Sequence, residues 1–219
     1  MSRQFFDRTE AGRQLADYLT DYAERPDVVV LGLPRGGIPV AAEVAKKLHA
    51  PLDVFVVRKL GLPGHPELAM GAIATGGVRV LNGEVIDPLG IPDAIIDQVA
   101  AAEQRELERR EKAYRDDLPP PEVEGKTVIL VDDGIATGST MAAAIAALRQ
   151  LNAGRIVVAT PTVAASTRDQ LRAMADEVVS VIAPHDFYGV GQWYEDFSQT
   201  SDDEVRAILA QTRQREVAA

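Results

Sequence analysis

The stretch VILVDDGIATGSTM, from Val128 to Met141, decides how this chain folds. An apolar, β-branched run ends at Val131, a polar loop with two glycines follows, and an alanine-rich segment extends to Leu151. This order predicts a buried strand, a tight loop and a helix. In an open parallel sheet, ligands collect beyond the carboxyl ends of the strands, where loops lead into helix N-termini. We therefore expect the loop to carry a binding site.

The same alternation of strand and helix recurs along the chain. Asp7 with Glu10 and, near the other end, Ser201 are typical helix caps. Repeated strand and helix predict an α/β fold: a doubly wound, mainly parallel sheet with helices on both faces, in a single domain over residues 1–219. Residues 59–80, rich in glycine and proline, are expected to form a flexible loop or hairpin. Strands are predicted over 27–32, 52–58, 126–131, 155–160 and 177–182, and helices over 9–22, 38–49, 92–118, 140–151, 167–175 and 202–214.

Composition and charge exclude some kinds of site and argue against some kinds of partner. The chain has no cysteine, which excludes a disulfide framework and a thiolate zinc site, and its three histidines are far apart in sequence. A net charge of −10 makes nucleic acid a poor default partner. No apolar run approaches the roughly 20 residues of a membrane helix. We expect a cytoplasmic protein without a membrane partner.

The loop after Val131 combines two kinds of ligand-binding group. Unpaired backbone N–H groups at a helix start attract phosphate, and Gly138 allows close approach of the ligand. Carboxylates would repel that phosphate, so Asp132 and Asp133 are suited to a vicinal diol or to Mg²⁺, held directly or through water. The alternative is an Asp-Asp-Gly turn that only caps a helix, although a cap needs just one such oxygen. Added hydroxyl donors are available from Thr137, Ser139 and Thr140.

This segment resembles the phosphoribosyl diphosphate signature of the type I phosphoribosyltransferases. The resemblance implies that Asp132 and Asp133 engage the ribose hydroxyls, with Gly134 beside them, while the turn cradles the 5-phosphate. Members that use 6-oxopurines usually have an aspartate just before the TG pair, whereas this chain has Ala136. Hypoxanthine and guanine are therefore doubtful acceptors. The turn residues are Ala136, Thr137, Gly138, Ser139 and Thr140.

A second loop, LGLPRGGIPVA from Leu31 to Ala41, resembles the short pyrophosphate loop of the same family. The resemblance implies that Arg35 meets the leaving group, that Gly36 and Gly37 expose backbone N–H groups, and that the Pro34–Arg35 peptide bond is cis. A plain glycine turn between strand and helix is the alternative reading.

Arg58 and Lys59 end the second predicted strand and lead into the flexible segment over 59–80, as basic residues do before the catalytic loop of the family. The resemblance implies that they bind pyrophosphate. For either residue alone, a solvated strand end is nearly as good an explanation. His65 lies in the same flexible segment, where a surface histidine is the favoured interpretation.

The C-terminal region collects aromatic residues in a chain that is only 5% aromatic. In the family, a hood formed partly by C-terminal residues stacks on the acceptor base, so residues 183–219 are the candidate hood. Ordinary packing of this C-terminal segment explains the aromatic residues equally well. The rings are Phe187, Tyr188, Trp193, Tyr194 and Phe197.

Taken together, the resemblance implies a Mg²⁺-dependent transfer of 5-phosphoribosyl from phosphoribosyl diphosphate to a nitrogenous small-molecule acceptor, with release of pyrophosphate. Homodimers are common in the family. A noncatalytic regulator that binds phosphoribosyl diphosphate or a nucleotide is the alternative from another class. A Mg²⁺ phosphohydrolase using Asp132 ranks last, because the spacing differs from the usual DxD pattern and no G-x-x-x-x-G-K-[ST] element occurs.

Overall fold

Five parallel strands form the central sheet of the computed structural model, which describes residues 4–115 and 118–218. The sheet order is β2-β1-β6-β7-β8, and each neighbouring pair is parallel. The predicted α/β class with a mainly parallel sheet is confirmed. The strands are β1 (Val28–Gly32), β2 (Leu52–Val54), β6 (Thr127–Val131), β7 (Arg155–Thr162) and β8 (Glu177–Ile182).

A second, antiparallel sheet of three strands occupies the predicted flexible segment. Its strands are β3 (Val57–Leu62), β4 (His65–Ala74) and β5 (Val78–Leu81), in the order β3-β4-β5. The expected hairpin is therefore present and extended by a third strand. The expectation of one strand over 52–58 was wrong: that run divides between the two sheets, because at the break Phe55 N–H donates to the Gly32 carbonyl and Val56 N–H to the Thr75 hydroxyl.

Seven helices are present in the described residues, and six of them match predicted ones in position. The first is shorter than expected, with a separate 3₁₀ turn over Thr20–Tyr22, and α3 was not predicted. The caps behave as expected: the Asp7 carboxylate accepts from Glu10 N–H, and the Ser201 hydroxyl accepts from Glu204 N–H. The bounds are α1 (Arg8–Ala16), α2 (Gly37–Leu48), α3 (Gly83–Leu89), α4 (Asp93–Arg115), α5 (Ser139–Gln150), α6 (Ala165–Leu171) and α7 (Asp202–Ala218).

Alternate residues of the central strands face two separate cores. Val30, Ile129 and Val157 pack with side chains of α1, α2, α4 and α7 on one face. Leu31 and Leu130 pack on the other face with α5, α6 and residues of the small sheet. Helices therefore cover both faces of the central sheet, and the antiparallel sheet packs against α5 on the second face. No described helix is both long and apolar enough to cross a membrane.

The strand order changes direction between β1 and β6. From β1 the chain moves outward to β2, but β6, β7 and β8 follow on the opposite side. Such a switch point leaves a crevice at the carboxyl ends of the two central strands, because the connections leave it in opposite directions. The loops after Gly32 and Val131 begin there.

One charged residue of the long helix is buried. Glu111 and Arg115 have the spacing of a surface ion pair, but Arg115 is only 3% exposed and its Nη2 lies 3.0 Å from Oδ2 of Asp53 on β2. Burial lowers the pKa of Arg115 and raises the pKa of Asp53, so each charge depends on the other for its stability.

Arg115→Met is therefore expected to destabilise the protein by about 2 kcal/mol, because it leaves the Asp53 carboxylate, whose side chain is 20% exposed, without its cation. Denaturant unfolding measures this difference. Arg105→Met, at an exposed position of the same helix, is the control. Equal stabilities of the two variants would contradict the prediction.

Candidate functional site

Two loops meet at the switch point between β1 and β6. Leu33 N–H donates to the Val131 carbonyl at 2.8 Å, which joins the loops at their origin. A side-chain carbon at Gly37 would lie 2.7 Å from that same carbonyl oxygen and 3.0 Å from Cα of Asp132. At Gly36 it would lie 2.0 Å from Oδ2 of Asp133. The structure therefore brings the glycine pair and the acidic pair together, at a closeness that only glycine permits.

The first loop has the backbone geometry that the family resemblance implies. The Pro34–Arg35 peptide bond is cis. Gly36 is the N-cap residue of α2, and among the described residues no side chain caps that helix. The N–H groups of Gly37 and Ile38 instead donate to the Leu33 and Arg35 carbonyls, at 3.0 and 3.2 Å. The expectation that Gly37 exposes its N–H group is therefore not met in the described contacts, because the loop satisfies that group itself.

The acidic pair is held in a charge-unfavourable position. Burial, together with the neighbouring Asp133 carboxylate, raises the pKa of Asp132 well above its ordinary value. Burial also raises the pKa of Asp133, and the Arg8 guanidinium opposes that rise. Oδ1 of Asp132 accepts from the backbone N–H of Asp133 at 2.9 Å, which orients the carboxylate. Two crowded carboxylates of this kind attract hydroxyl donors or a cation.

The turn beyond the acidic pair opens helix α5. Gly138 has φ of 73°, a left-handed conformation that glycine adopts at low cost, and within the described chain no side chain caps the helix there. The Ala136 carbonyl accepts from the Thr167 hydroxyl at 2.6 Å, which fixes the turn from outside. The Thr137 and Ser139 hydroxyl oxygens are 3.3 Å apart. Exposed hydroxyls beside an uncapped helix start are suited to a phosphate group.

Arg8 is a site residue that the sequence did not reveal. Its Nε donates to Oδ2 of Asp133 at 2.7 Å, and its Nη1 donates to the Ser198 carbonyl at 2.6 Å. The Tyr194 hydroxyl donates to the backbone carbonyl of Asp133 at 2.5 Å. No local pattern distinguishes Arg8 from other basic residues of a first helix, so only the fold identifies it.

Arg58 and Lys59, the basic residues predicted to bind pyrophosphate, lie on strand β3 of the small antiparallel sheet. Nε and Nη2 of Arg58 lie 2.7 and 2.6 Å from Oε2 of Glu103 on α4. Lys59 is exposed and lines a cleft of about 520 Å³ between the β3–β4 turn and α4. Among the described contacts, none joins Arg58 or Lys59 to either loop of the switch point. His65 begins β4 and is exposed.

The five C-terminal rings divide into packed and exposed members. Tyr194 is buried against Phe5, with 5.4 Å between ring centres, and Phe197 lies 5.0 Å from Tyr194 and 4.1 Å from the Arg8 guanidinium. Phe187 and Trp193 lie 6.3 Å apart and are half-buried. Tyr188 is 88% exposed. Ordinary packing therefore accounts for Tyr194, whereas Tyr188 is open to a ligand.

The donor set at the acidic pair consists of carboxylate oxygens, which suit a hard cation such as magnesium. In the described part of the chain there is no cluster of three or more His, Cys, Asp or Glu side chains able to hold a metal. Mg²⁺ commonly takes one or two carboxylates and completes its shell with water and substrate phosphates. Asp132 and Asp133 satisfy that requirement.

Comparison with known proteins agrees with this geometry. The family model described as "Phosphoribosyl transferase domain" matches residues 5–197. Two Mycobacterium tuberculosis proteins, from strains CDC 1551 / Oshkosh and H37Rv, each named "Putative phosphoribosyl transferase", are 49% identical over 205 residues. That match covers 94% of this chain and 46% of theirs, so the chain spans about half the length of these curated relatives.

A solved structure is similar over almost its whole length. The crystal structure of a Thermus thermophilus protein superposes with a TM-score of 0.86 at 41% identity, covering 95% of this chain and 98% of that one. A domain match that spans most of the chain establishes membership. The chain belongs to the phosphoribosyl transferase domain family.

Proposed function

We propose that this chain transfers the 5-phosphoribosyl group from phosphoribosyl diphosphate to a nitrogenous small-molecule acceptor and releases pyrophosphate. The observation that carries the proposal is the contact at the switch point, where the Asp133 carboxylate packs on Gly36. An acidic pair between the uncapped start of α5 and the loop that carries Arg35 matches a ligand with a diol in the middle and a phosphate at each end.

Each end of the ligand has a proposed set of partners in this chain. The N–H groups and hydroxyls of residues 136–140 bind the 5-phosphate, and Asp132 and Asp133 accept hydrogen bonds from the ribose hydroxyls. Arg35 and the backbone of Gly36 and Gly37 bind the diphosphate, for which the Gly37 N–H must exchange its bond to the Leu33 carbonyl. Fixing both ends holds C1 of the sugar in place for displacement with inversion, so the chain acts by positioning and by charge stabilisation, and no residue acts as a nucleophile.

Magnesium belongs to the proposal as a bound cofactor. Asp132 and Asp133, directly or through water, are the residues that would hold it with the diphosphate. When bound, it supplies positive charge to the departing diphosphate. Because both carboxylates have raised pKa values in the free protein, binding of a cation there relieves an unfavourable charge arrangement.

Arg58 and Lys59 are proposed as further pyrophosphate ligands contributed by the small sheet. The Arg58–Glu103 pair has both side chains less than a third exposed. Use of Arg58 in catalysis therefore requires exchange of Glu103 for a phosphate oxygen. A mobile β3–β4 hairpin would allow that exchange and exclude water from the site.

The acceptor side is assigned to Tyr188 within the C-terminal region. An exposed ring in the segment that follows β8 is suited to stacking on a planar base. Ala136 offers no carboxylate to handle a base proton, so the proposal does not extend to hypoxanthine or guanine.

Tyr188→Ala is expected to raise KM for the acceptor about 10-fold through loss of stacking, and to change KM for phosphoribosyl diphosphate far less. Steady-state kinetics with each substrate varied in turn measures the ratio. Tyr18→Ala, at another exposed tyrosine, is the matched control. A proportional change in both KM values would remove Tyr188 from the acceptor site.

A noncatalytic regulator that binds phosphoribosyl diphosphate is the second candidate. The observation that favours it is the pairing of Arg58 with Glu103, which occupies one of the three proposed leaving-group cations, Arg35, Arg58 and Lys59. Such a protein would keep the ribose and phosphate contacts without turnover.

The deciding experiment combines binding and turnover. The protein is incubated with phosphoribosyl diphosphate, Mg²⁺ and a panel of purine, pyrimidine and pyridine bases and amines, while released pyrophosphate is measured. Acceptor-dependent pyrophosphate supports the transferase. Calorimetric binding without turnover on any acceptor supports the regulator, acceptor-independent release of phosphate supports the hydrolase, and absence of binding refutes the proposed site.

A further inference from the structure

Arg8 joins three parts of the chain that are distant in sequence. It is the first residue of α1, its side chain is only 12% exposed, and its two hydrogen bonds reach the loop after β6 and the segment before α7. The guanidinium also stacks on Phe197, 4.1 Å from the ring centre. Donors pointing in two directions, with a flat face for stacking, are properties of arginine that lysine lacks.

Asp133, the partner of Arg8 on the loop after β6, is held at one carboxylate oxygen and at its backbone carbonyl. Oδ2 of Asp133 receives Arg8 Nε, and the space beside that oxygen is closed by Gly36, where a side-chain carbon would lie 2.0 Å away. The backbone carbonyl of the same residue receives the Tyr194 hydroxyl. Both contacts to Asp133 thus come from elements outside its own loop, and one of them belongs to the C-terminal segment that Arg8 also contacts at Ser198.

We propose that Arg8 is a positioning residue: it holds the Asp133 carboxylate in the orientation that receives a ribose hydroxyl and ties it to the Phe197–Ser198 segment. The inference rests on the proposed function, since it assumes that Asp133 binds the sugar. Arg8 does not touch the substrate. Its effect passes through Asp133, because a carboxylate that has lost its partner at this depth would rotate toward solvent.

If Arg8 acts through Asp133, its loss should change the affinities of different sugar phosphates by different amounts. If Arg8 only held the fold together, its loss would weaken binding of every sugar phosphate equally. If it positions Asp133, its loss removes mainly the advantage of a sugar with both hydroxyls over one that lacks the 2- or the 3-hydroxyl. That ratio is therefore the readout that a purely structural role would leave unchanged.

The experiment measures binding of phosphoribosyl diphosphate with Mg²⁺ by calorimetry, followed by competition with the 5-phosphates of ribose, 2-deoxyribose and 3-deoxyribose. For Arg8→Met we expect a loss of affinity for the diphosphate of about 10- to 100-fold, the range of a charged hydrogen bond, and a collapse of the preference for ribose over one deoxy sugar. Arg8→Lys keeps the positive charge but lacks the planar set of guanidinium N–H donors, and it is expected to recover only part of the lost affinity.

Arg13→Met is the matched control, because Arg13 lies on the same helix, is 65% exposed and pairs with Glu43 at the surface. If Arg8→Met fails to fold, Arg8→Lys together with Phe197→Leu, which removes only the stacked ring, carries the test.

An unchanged sugar preference in the Arg8 variants overturns the inference, whether or not affinity falls, and so does full recovery by Arg8→Lys, which would reduce the role to charge alone. If the unmodified protein itself binds no phosphoribosyl diphosphate, the proposed function fails. The two failures are therefore distinct.

Discussion

Replacing Asp132 and Asp133 together by asparagine is expected to abolish binding of phosphoribosyl diphosphate while leaving the fold intact. Each carboxylate is proposed to accept a hydroxyl of the sugar, and two charge-assisted hydrogen bonds correspond to a loss on the order of 100-fold or more in affinity. Titration calorimetry with Mg²⁺ present measures it. Asp87→Asn, at an exposed position of α3, makes a one-charge change elsewhere and is expected to bind as the unmodified protein does.

The single variant Asp132→Asn tests the electrostatic argument in the free protein. Burial raises the pKa of Asp132, so the folded state holds the proton more tightly than the unfolded chain does. Stability is therefore lost as pH rises from the ordinary aspartate pKa, about 4, through the raised folded pKa. Asparagine has no proton to lose, and it retains an oxygen to accept from Asp133 N–H.

At pH 7 without ligand, Asp132→Asn is consequently expected to have a free energy of unfolding roughly 1 kcal/mol higher than that of the unmodified protein, and so to unfold at a higher temperature. This difference in stability should shrink at acid pH. Thermal scans in the presence of a chelator measure both points. A variant that is less stable than the unmodified protein at every pH would show that the ionised carboxylate supports the fold, contrary to the proposed role.

For the double variant, in which both Asp132 and Asp133 are replaced by asparagine, unchanged calorimetric affinity would remove the acidic pair from the proposed site altogether.

The parts of this fold that sequence reasoning predicted are those set by local pattern. The run from Thr127 to Val131 is apolar at every position after the first and is buried at every position, because a central parallel strand is covered on both faces. The glycine-containing turn and the helix after it follow from backbone requirements that are local to Gly138. The cis bond between Pro34 and Arg35 followed from the resemblance of the short loop.

The features that escaped prediction depend on partners distant in sequence. The run over 52–58 looks continuous, and its division between two sheets is decided by hydrogen bonds to Gly32 and Thr75. Arg115 has the spacing of a surface pair but meets Asp53 of β2 instead. Arg8 reaches Asp133 across 125 positions. A single sequence carries no local signal for such contacts, since the same residue types occur on solvated helices.

The largest effect of a minimal change is expected at Gly36. Its φ of −62° and ψ of −29° are ordinary helical values, so alanine meets no backbone strain there. The added carbon would instead lie 2.0 Å from Oδ2 of Asp133 and 3.1 Å from Nε of Arg8. Because Arg8 holds that carboxylate in place, the clash is relieved only by moving the group that we propose binds ribose.

Gly36→Ala is therefore expected to reduce kcat/KM for phosphoribosyl diphosphate on the order of 100-fold, the effect of a displacement of about 1 Å at a reacting group. Gly83→Ala is the control: it also lies at a helix start, and its added carbon would meet nothing closer than Oδ2 of the exposed Asp87, at 3.3 Å.

A double-variant cycle separates displacement of Asp133 from a general effect on the loop. Gly36→Ala should lower the unfolding temperature of the unmodified protein, because overpacking of this kind costs about 1–3 kcal/mol, but should have little further effect in an Asp133→Ala background, where the clashing oxygen is gone. Additive losses in the two backgrounds would mean that the glycine serves the backbone of the loop and not the carboxylate. In that case a loss of activity in Gly36→Ala would not come from displacement of the Asp133 carboxylate.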